Sequence, residues 1–375
     1  MRNYFVESKE YNPWKNLAIE KHLADSIRPG DFLTFESRTL REDAHSGVSG
    51  RCRKRPPEAQ EPVETGVLIL YLWQNENTVV IGRNQNALRE CKTGLLESEG
   101  GYLARRSTGG GAVYQDLGNL CFTFIASPEC YDLERQMGVI QAACRKFGIE
   151  TEFSGRNDIL TKEGYKFSGN AFSVTSQCKI QHGTLMVDVN KERLGRYLTP
   201  SEDKLKSKGV KSVASRVCNL KELNSNITVD GMKQAILEAF QQEYGVAERI
   251  ALVEDVDACT CAGSCGSGRV KICSLASRKF LEIYEQYASW EWRYGKSPEC
   301  ETVCQKRFDW GEVQVHMKLK NLFIEECKVY SDALDVELPG RIEKLLQSQR
   351  FDMQNVKAED KQIEDVLMWL RLLQL

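Results

Sequence analysis

Between Leu103 and Asn119 the chain reads Leu-Ala-Arg-Arg-Ser-Thr-Gly-Gly-Gly-Ala-Val-Tyr-Gln-Asp-Leu-Gly-Asn. Three consecutive glycines, Gly109, Gly110 and Gly111, let a backbone approach a ligand closely and reach positive φ without a Cβ penalty. Arg105 and Arg106 stand just before them, and Ser107 and Thr108 add hydroxyl donors. That combination suits an anion held by backbone N–H groups and charge-assisted hydrogen bonds. A bare Gly-Gly-Gly run reads as a surface turn; here apolar, strand-like runs flank it closely and pin it to a scaffold. It is not a P-loop, because no Gly-Lys-Ser/Thr follows, and not a dinucleotide fingerprint, because no Gly-x-Gly-x-x-Gly opens a helix.

The elements that must position this loop are read from periodicity. Tyr4 to Val6 gives a first short strand, and Asn12-Pro13 starts a helix with an Asn cap and Pro at its first position, running to about Ser26. Val67 to Trp73 is a continuous apolar run, as expected of a strand buried on both faces, and Thr78 to Ile81 is a second. Asn86 to Glu99 predicts one helix, and Leu120 to Ala126 a strand after the glycines. Leu133, Met137, Ile140, Cys144 and Phe147 mark an amphipathic helix closed by Gly148. Glu150 to Leu160, Lys166 to Ser173 and Thr184 to Asp188 read as strands, and Met232, Ile236, Phe240 and Tyr244 as a helix ended by Gly245. Val313, Val315, Met317 and Leu319 alternate into a hairpin at Lys320-Asn321, and two helices follow, around 342–346 and 363–373.

A length of 375 residues suits two domains. The formal net charge of −2 gives no electrostatic reason to expect nucleic acid as a partner. No apolar run reaches the ~18 residues that cross a bilayer, and the N-terminus lacks the apolar core of a secretory signal. Fourteen scattered cysteines without such a signal predict reduced thiols and a cytoplasmic protein rather than a disulfide framework. Cys259, Cys261, Cys265 and Cys273 lie in a Gly/Ser-rich stretch but lack paired Cys-x-x-Cys knuckles, which argues against zinc.

The glycine stretch resembles the signature of the lipoate–protein ligases. Further segments agree in order: Val80-Ile81-Gly82-Arg83-Asn84-Gln85-Asn86, then Gly155-Arg156-Asn157-Asp158, Lys166-Phe167-Ser168-Gly169-Asn170-Ala171, His182-Gly183-Thr184-Leu185, and Ser289-Trp290-Glu291-Trp292-Arg293-Tyr294-Gly295. The resemblance implies an α+β catalytic domain of mixed sheets flanked by helices, as in biotin ligases and class II synthetases, over 1–253. It implies a small α/β accessory domain over 275–375. Against the family, 29–66 reads as an insertion and 254–274 as a linker or insertion; 29–66 and 258–274 are expected to be poorly ordered.

The chemistry implied is ATP-dependent formation of lipoyl-AMP, followed by transfer to a lysine of lipoyl-acceptor domains, in 2-oxoacid dehydrogenase complexes and the glycine cleavage H protein. A monomer is expected. By resemblance, Lys166 is the catalytic lysine that touches both the lipoyl carboxyl and the α-phosphate. Arg106, Gly111, Ala112, Val113 and Tyr114 fall on nucleotide positions; Arg105, Gly109, Gly110, His182 and Gly183 fall on the lipoate side. Asp158 is the candidate carboxylate for Mg2+. Ser201 to Leu223, with its lysines, corresponds to a loop that covers the adenylate. Gln115 and Gln181 depart from the commonest pattern, where His is frequent. Two alternatives stay open: an octanoyl- or lipoyltransferase on the same fold without its own activation step, for which Cys178 is the nearest cysteine, and a non-catalytic lipoyl-protein binding module.

Overall fold

The computed structural model describes residues 1–27, 37–39, 66–83, 85–154, 157–199, 217–254, 269–295, 300–331, 333, 335 and 337–373. The chain groups into two compact units, each assembled from separated stretches: Met1–Asn75, Leu117–Val189 and Val217–Tyr284 in one, Glu76–Asp116, Asn190–Arg216 and Glu285–Leu375 in the other.

The first unit is built on one mixed sheet of ten strands. In chain order these are β1 (Arg2–Glu7), β2 (Ser37–Thr39), β3 (Val67–Trp73), β7 (Asn119–Ala126), β8 (Thr151–Phe153), β9 (Asp158–Thr161), β10 (Lys166–Val174), β11 (Lys179–Met186), β12 (Glu248–Val253) and β13 (Arg269–Ser274). Their order in space is β2-β13-β12-β1-β3-β7-β11-β10-β9-β8. β1 runs parallel to β3 and β12, whereas β3, β7, β11, β10, β9 and β8 succeed one another antiparallel. Strand alternation sends Leu120, Phe122 and Phe124 of β7 to one face. There they form the core with Met137 and Ile140 of the helix Leu133–Arg145 and Ile236 and Phe240 of the helix Val229–Tyr244. Thr123, between the two phenylalanines, points to the opposite face, toward Glu20 of the helix Pro13–Ala24. Asn12 caps that helix as its sequence predicts, accepting from the amides of Trp14 and Lys15.

The second unit holds two three-stranded sheets. One is β5-β4-β6, from β4 (Thr78–Ile81), β5 (Tyr102–Arg105) and β6 (Val113–Gln115); the other is β14-β15-β16, from Cys300–Phe308, Gly311–Lys320 and Phe323–Ser331. The inward residues of the latter, Val313, Val315, Met317 and Leu319, are buried, as are Leu338, Ile342 and Leu346 of the helix Leu338–Leu346 and Ile363, Val366 and Leu370 of the helix Lys361–Leu373.

Three details differ from the expectation. The stretch 86–99 is two short helices, Ala87–Glu90 and Thr93–Ser98, because Cys91 leaves helical geometry to form a β-bridge with Leu198. Ser37–Thr39 and Arg269–Ser274, inside segments expected to lack structure, are paired strands of the large sheet. Cys273 is accordingly a buried strand residue whose thiol burial pushes up to about 12. Apart from Gly66 and Glu254, the rest of those segments, with Cys259, Cys261 and Cys265, lies outside the described residues, as do 201–216, Asn84, Gly155 and Arg156. Among the described residues no helix is long and apolar enough to cross a membrane, and no group of three metal-ligating side chains occurs.

Candidate functional site

In the second unit the glycine run joins β5 to β6, and Arg106 holds it from inside. Its Nε donates to Thr108 Oγ1 at 3.1 Å and to the Gly109 carbonyl at 3.1 Å, and its Nη2 donates to the carbonyls of Gly109 at 2.7 Å and Gly111 at 2.9 Å. The carbonyls of Gly109 and Gly111 are thus turned toward the Arg106 guanidinium. Gly110 takes φ 95°, and a Cβ at Gly109 or Gly111 would meet nothing within 4 Å. The run is therefore open on its outer side, as an anion cradle requires.

Gly82 is the backstop. A Cβ there would lie 2.2 Å from the Gly110 carbonyl oxygen, so only glycine allows this approach. The Arg83 amide donates to the Thr108 carbonyl at 2.9 Å, tying the Gly82-Arg83 turn to the loop. Ala112 and Val113 are half-buried beyond the glycines, and Gln115 is buried on β6. The Tyr114 hydroxyl donates to Asn77 Oδ1 at 3.2 Å, its ring packs on Tyr197, and burial pushes its pKa up to about 12.

Arg105 is fully buried. Its Nη1 donates to the carbonyls of Gly82, Arg83 and Gln85 at 3.2, 2.8 and 2.7 Å; its Nε and Nη2 donate to the Arg293 carbonyl at 3.0 and 2.8 Å. Burial draws its pKa down to about 10, which keeps it charged at neutral pH. These contacts give Arg105 the task of positioning the base of the loop.

In the first unit Lys166 opens β10, and its Nζ stands 2.7 Å from Asp158 Oδ1 at the start of β9. Antiparallel pairing brings them together: Asp158 lies opposite Gly169, and a register shift between Lys166 and Ser168 swings the lysine over that glycine. A Cβ on Gly169 would lie 3.0 Å from the ammonium. The lysine side chain is 31% exposed, so it is both held and reachable. The neighbouring Asn157 and Asn170 exchange hydrogen bonds: Asn170 N and Nδ2 donate to the Asn157 carbonyl at 2.7 and 3.2 Å, and Asn157 Nδ2 donates to the Asn170 carbonyl at 3.3 Å.

His182 lies on β11 opposite Thr123 of β7. Its Nδ1 is 2.8 Å from Glu20 Oε2, which also accepts from Thr123 Oγ1 at 2.7 Å; Trp73 Nε1 in turn donates to Thr123 Oγ1 at 3.1 Å. Glu20 Oε2 already accepts from Thr123 and meets the ring as an acceptor again, which orients His182 through its Nδ1 edge. Sequence reading found His182 and missed Glu20. The signal was an acid inside the buried stripe Asn16, Leu17, Glu20, Leu23 and Ala24 of the first helix. Gly183 is enforced, since a Cβ there would meet Phe122 Cζ at 2.4 Å. Gln181 is buried on the other face, its Nε2 against Met137 Sδ at 2.7 Å.

Cys178 is buried and its thiol is pushed up to about 12; burial also pushes the Cys121 thiol well above its ordinary range. Neither is a thiolate at neutral pH, which a nucleophilic cysteine must be.

Residues 52–241 match the family model described as the lipoyl protein ligase A/B catalytic domain, and residues 297–368 match the bacterial lipoate protein ligase C-terminus. A lipoate-protein ligase A of Psychrobacter cryohalolentis is 36% identical over 99% of this chain and 98% of its own. One of Blochmanniella pennsylvanica is 32% identical over 97% and 96%. Among solved structures, P. falciparum LipL1 in complex with lipoate superposes with a TM-score of 0.58 at 26% identity, covering 98% of this chain and 99% of that one.

Proposed function

The chain belongs to the lipoate–protein ligase family, and from that premise we propose that it activates lipoate with ATP and transfers the lipoyl group to a lysine of an acceptor domain. The observation that carries this is Lys166, an ammonium held over Gly169 by Asp158 yet open to solvent. A free carboxylate does not acylate an amine at neutral pH. In the first step a lipoate carboxylate oxygen attacks the α-phosphorus of ATP, the bond to the β-phosphate oxygen breaks, and pyrophosphate leaves. In the second, the ε-amine of the acceptor lysine attacks the acyl carbon, the acyl–oxygen bond breaks, AMP leaves, and the amine loses a proton. Both steps place negative charge on oxygen, which fixed positive electrostatics stabilise.

Lys166 supplies that charge at the carboxyl and α-phosphate. Arg106, Gly111, Ala112, Val113 and Tyr114 form the nucleotide side; Gly109, Gly110, His182 and Gly183 form the lipoate side, with Arg105 setting the base of the loop. Mg2+ takes one or two protein carboxylates together with substrate phosphates, and Asp158 would provide one such carboxylate. Bound there, the ion would neutralise phosphate charge. In this reading 1–253 is the catalytic part and 275–375 the accessory part, and the acceptors are the lipoyl domains of 2-oxoacid dehydrogenase complexes and the glycine cleavage H protein.

Lipoate-dependent exchange between ATP and labelled pyrophosphate is the direct test. Exchange that needs lipoate supports the ligase; acyl transfer without any exchange would replace it with the transferase. Arg106→Ala should raise the ATP KM by about tenfold or more, because a charge-assisted contact worth ~1.5–3 kcal/mol is lost and the Gly109 and Gly111 carbonyls lose their anchor. Cys178→Ala should leave acyl transfer at the wild-type rate; a variant that exchanged pyrophosphate but no longer transferred would restore the cysteine mechanism.

A further inference from the structure

The short helix Trp290–Arg293 lies far from the glycine run in sequence and touches its base directly. Trp292 Nε1 donates to the Arg105 carbonyl at 2.7 Å, while the Arg105 guanidinium donates twice to the Arg293 carbonyl. One residue of β5 thus accepts from the helix through its main chain and donates to it through its side chain. The exchange also solves a local problem of the helix. The last carbonyls of a helix lack intrahelical partners, and burial makes an unpaired one costly. Arg105 closes the end of this one.

Arg105 does more than cap. The same guanidinium gathers the carbonyls of Gly82, Arg83 and Gln85, and that turn is the piece on which the glycine run rests: Arg83 N donates to the Thr108 carbonyl and Gly82 lies flush under Gly110. From the other side, the Arg106 amide donates to the Ile81 carbonyl at 3.0 Å and its side chain holds Gly109 and Gly111. One support of the run therefore begins at Arg105 and the other at Arg106, the residue next to it. Trp292 is buried, with Arg83 over its ring and Tyr287 beside it. Trp290 is held by the Arg350 guanidinium, 3.8 Å from its ring centroid, and by the edge of Phe323. Tyr294 donates to Glu97 Oε1 at 2.6 Å.

We propose that the Trp290–Arg293 helix is a latch that sets the geometry of the glycine loop for nucleotide binding, with Trp292 and Arg105 as positioning residues. The proposal rests on the ligase reading for its substrate, ATP. A hydrogen bond inside a buried, bracketed base acts on every amide the loop presents, so its loss is felt at the nucleotide even though neither residue touches it. A simple packing anchor predicts something else: less folded protein, and equal loss in every step.

The test is Trp292→Phe, which keeps an aromatic ring under Arg83 and deletes the indole N–H together with one ring of the bicycle, so the melting temperature is read beside ATP binding. ATP binding by calorimetry and the ATP KM of lipoate-dependent exchange should both weaken by about tenfold, the scale of one buried hydrogen bond. Transfer from saturating preformed lipoyl-adenylate to an apo lipoyl domain should stay at the wild-type rate, and thermal unfolding should show a single folded population. Arg105→Lys should weaken ATP binding further, because a compact ammonium cannot serve four carbonyls. Unchanged ATP binding in Trp292→Phe overturns the latch, and so does a parallel loss in both half-reactions that follows a lowered melting temperature. Wild-type protein that binds ATP but shows no lipoate-dependent exchange would refute the ligase reading while the calorimetry still decides the latch; wild-type protein that binds no ATP would refute both.

Discussion

Lys166→Ala is expected to lower lipoate-dependent ATP–pyrophosphate exchange by about 10²–10³, the usual cost of removing one preorganised electrostatic group from a transition state. The fold should survive. Lys166 begins an antiparallel strand, its side chain is partly exposed, and its partner Asp158 keeps access to water, so truncation opens no core cavity and strands no fully buried charge. Unfolding curves of the two proteins should therefore coincide while exchange collapses. Lys166→Arg should not restore the rate. The ammonium sits flush on Gly169, where even a methyl would come within 3.0 Å of it, and a planar guanidinium needs more width than that surface gives. Wild-type exchange in Lys166→Ala would remove the lysine from the chemistry while leaving lipoate-dependent activation in place.

Much of this site was legible because its logic is local. Three glycines after two arginines announce a close backbone approach, and the runs from Val67 to Trp73 and from Leu120 to Ala126 announce the buried strands that flank the chemistry. The Asn12-Pro13 helix start and the Gly245 stop at φ 89° are also local rules, and both hold. What sequence hid are partnerships across long separations. Nothing near His182 names Glu20, which meets it only because β11 pairs with β7 and the first helix crosses that face. Arg105 and Arg106 are adjacent and chemically identical, yet the last residue of β5 sends its guanidinium to the Gly82 turn and the residue after the strand sends its own under the glycines. Periodicity ran Ala87–Glu90 and Thr93–Ser98 together because the interruption is a bridge from Cys91 to Leu198, a tertiary event. Arg269–Ser274 was concealed by the Gly/Ser-rich composition of the residues before it, and becomes a strand because β12 offers it a parallel edge.

Gly183→Ala should damage stability and catalysis together, through a traceable chain of contacts. Gly183 lies between Phe122 of β7 and Asn170 of β10, opposite both in register. An added Cβ would stand 2.4 Å from Phe122 Cζ and 2.6 Å from Asn170 Oδ1, distances that no real methyl keeps. Phe122 cannot retreat, because it is fully buried with its ring edge against Phe124. The displacement must then go to Asn170. That side chain is locked to Asn157, the residue immediately before Asp158, so moving it moves the carboxylate that holds Lys166. Overpacking of this kind costs roughly 1–3 kcal/mol, readable as a shifted denaturation midpoint. Exchange should fall further than the folded fraction explains, since a misplacement near 1 Å at reacting groups costs on the order of 10² in rate. A Gly183→Ala protein with the wild-type midpoint and wild-type exchange would show that β10 and β11 yield freely here, and that the Asn157–Asn170 lock does not set the position of Lys166.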